Sequence, residues 1–265
     1  MSASLRRLGR RLLRRPPAIT VSEAGGVRSL HVGGEAIQSA MCIDDPFALA
    51  LDYTRCMMAF LLFHPRPRDV LMIGLGGGSL AKFVHRRMKR SRVRAIESDA
   101  RVVQAARRHF ALPPDDARLA IEVGDGAQAL APQSCDVLMV DGFEDEAQAP
   151  GLASRDFYDA AYLALRAPGV LVVNFMSDDP ALDRRLRSLE RAFGGAVLAL
   201  PALSDPNVVV LALRGTPARM SWARLHARAA RLERRFGLPF PRYVGALKRM
   251  NLHTDEMLLI EPPAR

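Results

Sequence analysis

The sequence predicts an α/β fold: an open, mostly parallel sheet of seven strands behind a small N-terminal β domain. Short apolar runs alternate with helical stretches between residues 70 and 174, the pattern of a parallel sheet covered on both faces. Four successive runs end on a glycine turn or an acid, at Gly74-Leu75-Gly76-Gly77-Gly78, Glu97, Asp125 and Asp141. In an open α/β sheet such ends line one crevice. The last two runs, 196–200 and 207–213, are joined by a link too short for a parallel crossover. The final strand is therefore expected to run antiparallel.

Residues 1–17 form a basic tail with Arg6, Arg7, Arg10, Arg11, Arg14, Arg15 and no acid. Leu5, Leu8, Leu12 and Leu13 give it the spacing of a short amphipathic helix. It lacks the uncharged apolar core of a secretory signal. Contact with nucleic acid or anionic lipid is open to it, but a solvated terminus is the favoured reading. Residues 18–64 form a small module. Gly25-Gly26 and Gly33-Gly34 punctuate antiparallel strands, and a helix is expected from Asp44-Asp45-Pro46, with Pro46 at its first position, to just before His64-Pro65.

Residues 65–215 carry the main domain. Strands are expected at 70–74, 93–97, 118–123, 135–140 and 170–174. Helices follow from Ser79, over 100–110, after Gly126, over 155–165 and near 181–193. Residues 216–265 form a C-terminal helical extension. Its segment 217–236 puts Trp222, Leu225, Ala229 and Leu232 on one side, with its arginines read as a solvated face.

Composition narrows the class. Of 265 residues 49% are hydrophobic, ample for a core. No run of about 18 uncharged apolar residues suggests a membrane span. Cys42, Cys56 and Cys135 show neither disulfide nor metal spacing; no metal and a cytoplasmic location are expected. The net charge is +10, carried almost wholly by arginine.

The strand-end residues describe a nucleoside pocket. Glycines let the backbone bend sharply and approach a ligand. Glu97, ending the second strand, can accept both hydrogen bonds of a ribose diol. The dinucleotide fingerprint G-x-G-x-x-G fails at Ser79, which disfavours NAD, and no Gly-Lys-Ser/Thr makes a P-loop. Gly124-Asp125-Gly126 after an apolar run, with Asp125 placed to accept the adenine amino proton, favours S-adenosylmethionine or a relative. The competing reading is that each acid merely caps a following helix.

Taken in order, Gln38, Tyr53, His64-Pro65-Arg66-Pro67-Arg68-Asp69-Val70-Leu71-Met72-Ile73-Gly74, Ile96-Glu97-Ser98-Asp99, Gly124-Asp125-Gly126, Asp141, Phe157-Tyr158 and Pro168-Gly169-Val170-Leu171 resemble the spermidine synthase (polyamine aminopropyltransferase) family. The likeness spans about residues 30–215. It implies the Rossmann-like fold of class I S-adenosylmethionine-dependent methyltransferases and a homodimer. It implies transfer of an aminopropyl group from decarboxylated S-adenosylmethionine to putrescine or another small cationic amine. Carried over by position, Gln38, Gly74, Gly76, Gly77, Gly78, Glu97, Asp125 and Gly126 would hold the co-substrate. Asp141 and Tyr53 would be catalytic, and Glu144 and Asp145 would bind the amine.

Two positions depart from the family. Gly77 stands where the glycine loop normally carries the Asp that binds the aminopropyl amine, and Leu203 stands near a family tyrosine. Two other readings therefore stay open: methyl transfer from intact S-adenosylmethionine, and a nucleoside-binding protein without catalysis. The run Asp141, Glu144, Asp145, Glu146 would draw a cationic substrate against the overall charge, and Asp141 can take the proton of an attacking amine.

Overall fold

The structure is a computed structural model that describes residues 17–144, 147–148 and 150–260. Three short strands, β1 (Ile19–Ala24), β2 (Val27–Val32) and β3 (Ile37–Cys42), form an antiparallel sheet in that order. Gly25 and Gly26 turn β1 into β2 with φ of 56° and 76°, a turn open to glycine at little cost.

The central sheet contains β4 (Asp69–Ile73), β5 (Arg92–Glu97), β6 (Leu119–Val123), β7 (Cys135–Val140), β10 (Leu165–Met176), β11 (Val197–Pro201) and β12 (Asn207–Arg214). Its order is β11-β12-β10-β7-β4-β5-β6. β12 pairs antiparallel with both β10 and β11 while the other pairings are parallel, as the short link required. Beyond β7 lies a two-stranded ribbon of β8 (Phe143–Glu144) and β9 (Ala147–Gln148).

Helices cover both faces: α1 (Asp52–Met57), α2 (Ser79–Arg87), α3 (Ala100–His109), α4 (Arg155–Ala164), α5 (Leu182–Ala192), α6 (Trp222–Phe236) and α7 (Phe240–Met250). A ribbon of β13 (Arg219–Ser221) and β14 (Met257–Leu259) ties the start of α6 to the chain after α7. Alternate strand residues feed two cores, because side chains alternate across a strand. Val70, Met72, Val137, Met139, Val170 and Val172 join α2, α6 and α7 on one face. Leu71, Ile73, Leu138, Val140, Leu171 and Val173 join α4 and α5 on the other. A third, smaller core sets Leu30 and Met41 of the N-terminal sheet against Val102, Ala105 and Phe110.

Several expected elements differ. The helix expected from Pro46 begins only at Asp52 and passes into a 3-10 turn over Met58–Leu62. Before it, Asp45 accepts from Phe47 N (3.3 Å) and the Arg55 guanidinium ties up the carbonyls of Leu49 (2.6 Å) and Ala50 (3.1 Å). These local bonds stabilise a loop in place of helical turns. After Gly126 there is a turn and no helix: Asp125 accepts from Ala127 N at 2.9 Å and from Gln128 Nε2 at 3.0 Å. The helix expected over 217–236 starts at Trp222, since 219–221 pair as a strand. The extension also holds α7, opened by Pro241 in its first turn.

Candidate active site

The C-terminal ends of β4, β5, β6 and β7 meet the N-terminal sheet around one cleft of about 840 Å³. Gln38, Tyr53, Gly74, Gly76, Glu97, Asp125, Gly126 and Asp141 all line it. The sequence thus brought together eight of its candidates. Gly77 and Gly78 are not among the lining residues. A Cβ on Gly77 would meet the Phe110 ring at 2.8 Å and Ser39 Oγ at 2.9 Å, and Gly78, in the left-handed region at φ 74°, backs onto Leu112. Asp145 lies outside the described residues, and of Glu144 the backbone alone is described, in β8.

Each lining residue has a physical reason to be there. Gly74 (φ 90°) must lack a Cβ, because one would lie 2.3 Å from the carbonyl oxygen of Asp141. That approach lets Asp141 N donate to Ile73 O at 2.9 Å and carries the sheet one residue past β7. Gly126 packs against Ile73, where a Cβ would come within 2.3 Å. One oxygen of Glu97 accepts from Leu75 N (2.9 Å) and the other from Asp99 N (3.1 Å), so its carboxylate braces the glycine turn as well as facing the cleft. No helix follows for Asp125 to cap; it holds its own turn, and it also lines the cleft.

The other end of the cleft is built around Asp141. Tyr53 Oη donates to one carboxylate oxygen at 3.2 Å and Asn174 Nδ2 to the other at 2.9 Å. Asn207 Nδ2 donates to Asn174 Oδ1 at 3.0 Å, which orients the Asn174 amide with its donor toward Asp141. Asn174 and Asn207 are buried, at 2% and 8% exposure. Burial raises the Asp141 pKa above the ordinary carboxylate value, and the Asn174 and Tyr53 hydrogen bonds pull it partly back. Burial and the neighbouring Asp141 push Tyr53 well above its ordinary value, so it stays a neutral donor. Tyr53 N in turn donates to Asp205 (3.0 Å), and Asp52 accepts from Leu203 N (2.5 Å) and Ser204 N (3.0 Å). Two acids thereby clamp the β11–β12 loop to the start of α1.

Sequence reading missed Asn174, Asn207, Asp52 and Asp205. Asn174 left one signal, a lone amide in the apolar run Val172-Val173-Asn174-Phe175.

The cleft has one sign of charge. Glu97, Asp99, Asp125 and Asp141 line it, and among the described residues no Lys, Arg or His does. Asp99 is ion-paired to Arg101 at 2.5 Å, which leaves three carboxylates facing a ligand. Among the described residues no group of His, Cys, Asp and Glu is placed to hold a metal ion, and no helix is long and apolar enough to cross a membrane.

Fold and relatives together define the class, a transferase built on an open, mostly parallel α/β sheet. The profile of the Spermine/spermidine synthase domain matches residues 51–192. A polyamine aminopropyltransferase of Chromobacterium violaceum is 39% identical over 92% of this chain and 94% of its own length. One of Neisseria meningitidis is 36% identical over 89% and 90%. A probable spermidine synthase structure from Corynebacterium glutamicum superposes with a TM-score of 0.67 over 89% of this chain and 94% of that one, at 20% identity. The chain belongs to the spermine/spermidine synthase family.

Proposed function

We propose that this protein transfers the aminopropyl group of decarboxylated S-adenosylmethionine to a small di- or polyamine. The observation that carries this reading is Asp141, held between Tyr53 and Asn174 in a cleft lined, among the described residues, by acids and by no base. Glu97 and Asp125 hold the ribose and adenine. The decarboxylated tail is cationic and finds carboxylates and neutral groups around it; among the described lining residues the carboxylate of intact S-adenosylmethionine would find no basic side chain. The names of the relatives support the same reaction.

In the chemical step the amine lone pair attacks the propyl carbon bound to the sulfonium. The C–S bond breaks, and its electron pair leaves a neutral thioether. The attacking nitrogen must be unprotonated, although free alkylamines are cationic at pH 7. Asp141, its basicity raised by burial, takes the proton, and the Tyr53–Asn174 clamp fixes its direction. Kinship with the family supports a homodimer and a cytoplasmic location.

Calorimetry with decarboxylated S-adenosylmethionine, the intact form and methylthioadenosine, coupled to turnover with putrescine and longer amines, tests the proposal. Preference for the decarboxylated form, with transfer, is expected. Preference for the intact form would establish the methyltransferase reading, and binding with no turnover on any amine the non-catalytic one. Asp141→Asn should keep nucleoside binding, which rests on Glu97 and Asp125, and lose about 10²-fold or more of turnover.

A further inference from the structure

Helix α6 carries a second charged feature, far from the cleft in character. Its buried stripe is Trp222, Leu225, Ala229, Leu232 and Phe236. Arg224, Arg228, Arg231 and Arg235 each precede one of the last four by one position. At 3.6 residues per turn they fall within about 60° of one another around the helix, on one flank of that stripe. The single acid of the helix, Glu233, points about 170° away from them. Arg224, Arg231 and Arg235 are exposed and Arg228 is half-buried.

This ridge is unpaired. Arg28, Arg92, Arg94, Arg101, Arg107 and Arg166 meet carboxylates, whereas others, Arg184, Arg187 and Arg191 of α5 among them, form no ion pair among the described residues. None of the four ridge arginines has an ion-pair partner among the described residues. Arg228 is held in place by the Leu62 carbonyl. Its pKa is lowered by burial and by the charges of Arg224 and Arg231, so the ridge is self-repelling. It continues onto α2, where Arg87 donates to the Arg235 carbonyl at 2.9 Å beside the exposed Arg86.

We infer that the α6 ridge is a docking surface for the phosphate backbone of a nucleic acid. The eleven helical rises from Arg224 to Arg235 make a line of arginines about 16 Å long, on the scale of several phosphates of a duplex, which carries a charge every ~1.7 Å of axis. Arginine forks suit phosphate oxygens bidentately. A lipid surface fits less well, because the apolar stripe that would enter it is buried in the core, with Leu225 and Ala229 fully covered. The ridge offers positive charge and no means of reading bases, so binding is independent of sequence.

The test is fluorescence anisotropy of a labelled 25-base-pair duplex DNA, titrated with the full chain over a salt series. R224Q/R231Q/R235Q keeps Arg228 and its Leu62 bond. R184Q/R187Q/R191Q removes the same charge from α5, on the opposite face of the sheet. All the proteins share the basic N-terminal tail. The ridge variant should bind more weakly, and its slope of log K against log salt should shrink by about 2.7, close to one unit per lost phosphate contact. The α5 variant should keep the wild-type slope. Aminopropyl transfer should be equal in all three proteins, since α6 does not line the cleft. Equal losses in both variants would make the binding a property of net charge and overturn the proposal. So would no binding of DNA by wild type, or binding to vesicles of anionic phospholipid in its place. If the triple variant failed to fold, R231Q alone, at an exposed site, should remove about 0.9 of the slope.

Discussion

At the scale of single residues the site depends on groups that orient others. In the proposed reaction Asp141 takes the proton; its carboxylate is held by Asn174, whose amide is in turn oriented by Asn207. The Asn174 donor stabilises the carboxylate and lowers its pKa against the effect of burial. Asn174→Ala removes that stabilisation, so the Asp141 pKa should rise further. The acid limb of the pH profile of kcat/KM should move to higher pH, and activity should fall more at pH 6 than at pH 8. An unmoved acid limb would mean that another group titrates there. Gly77 makes the opposite point, that a glycine in a ligand loop can be required by packing. Gly77→Ala sets a methyl 2.8 Å from the Phe110 ring and 2.9 Å from Ser39 Oγ. Such overpacking costs about 1–3 kcal/mol, read as a lower urea midpoint at unchanged slope. An unchanged midpoint would show that Phe110 swings aside freely.

At the scale of elements, the glycine turn and the acids at the strand ends were legible because both are local. A glycine follows an apolar run, an acid ends the next, and the sheet topology does the rest. What was not legible depends on contacts distant in sequence. Asp52 and Asp205 reach across some 150 residues to clamp a loop to a helix, and no spacing encodes that. The misplaced start of α1 has a local cause in Asp45 and Arg55, side chains that take the backbone groups a helix would have used.

Lys82 is another long-range partner. It lies on α2 at 1% exposure and donates to the Phe110 carbonyl at the C-terminal end of α3, where the helix dipole favours a cation. Burial nonetheless lowers its pKa from 10.5 to about 8. Between those values the unfolded chain binds the proton and the folded one does not, so stability rises with pH across the window. Below pH 8 both states are charged and the cost is full. The stability of wild type relative to Lys82→Met should therefore grow by up to about 3 kcal/mol from pH 7.5 to 10.5. Taking the difference cancels the buried thiols of Cys56 and Cys135, pushed up to about 12, which titrate in both proteins. A difference that stays flat with pH would mean that folding leaves the Lys82 pKa unshifted, with the ammonium charged in both states across the window.

At the scale of the whole molecule the boundaries read from the sequence do not coincide with the cores. Residues 216–265 read as an extension, yet Leu225, Phe236, Phe240, Tyr243 and Leu247 share one apolar core with strands β4, β7, β10 and β12. Each of these five side chains is at most 3% exposed, which amounts to about 1.5–3 kcal/mol of burial apiece for residues of this size. Helices held this firmly should not melt ahead of the sheet. The N-terminal sheet is joined by the smaller core around Phe110 and is expected to follow. Trp222, the single tryptophan, sits in the first turn of α6 with its indole N–H on the Thr254 carbonyl at 3.0 Å. Its fluorescence therefore reports on the C-terminal helices, while far-ultraviolet circular dichroism reports on all elements together. Urea unfolding followed by the two signals should give coincident midpoints and slopes, as one cooperative unit requires. A fluorescence transition at lower urea than the dichroism transition would divide the chain after residue 215 and make the extension a unit of its own.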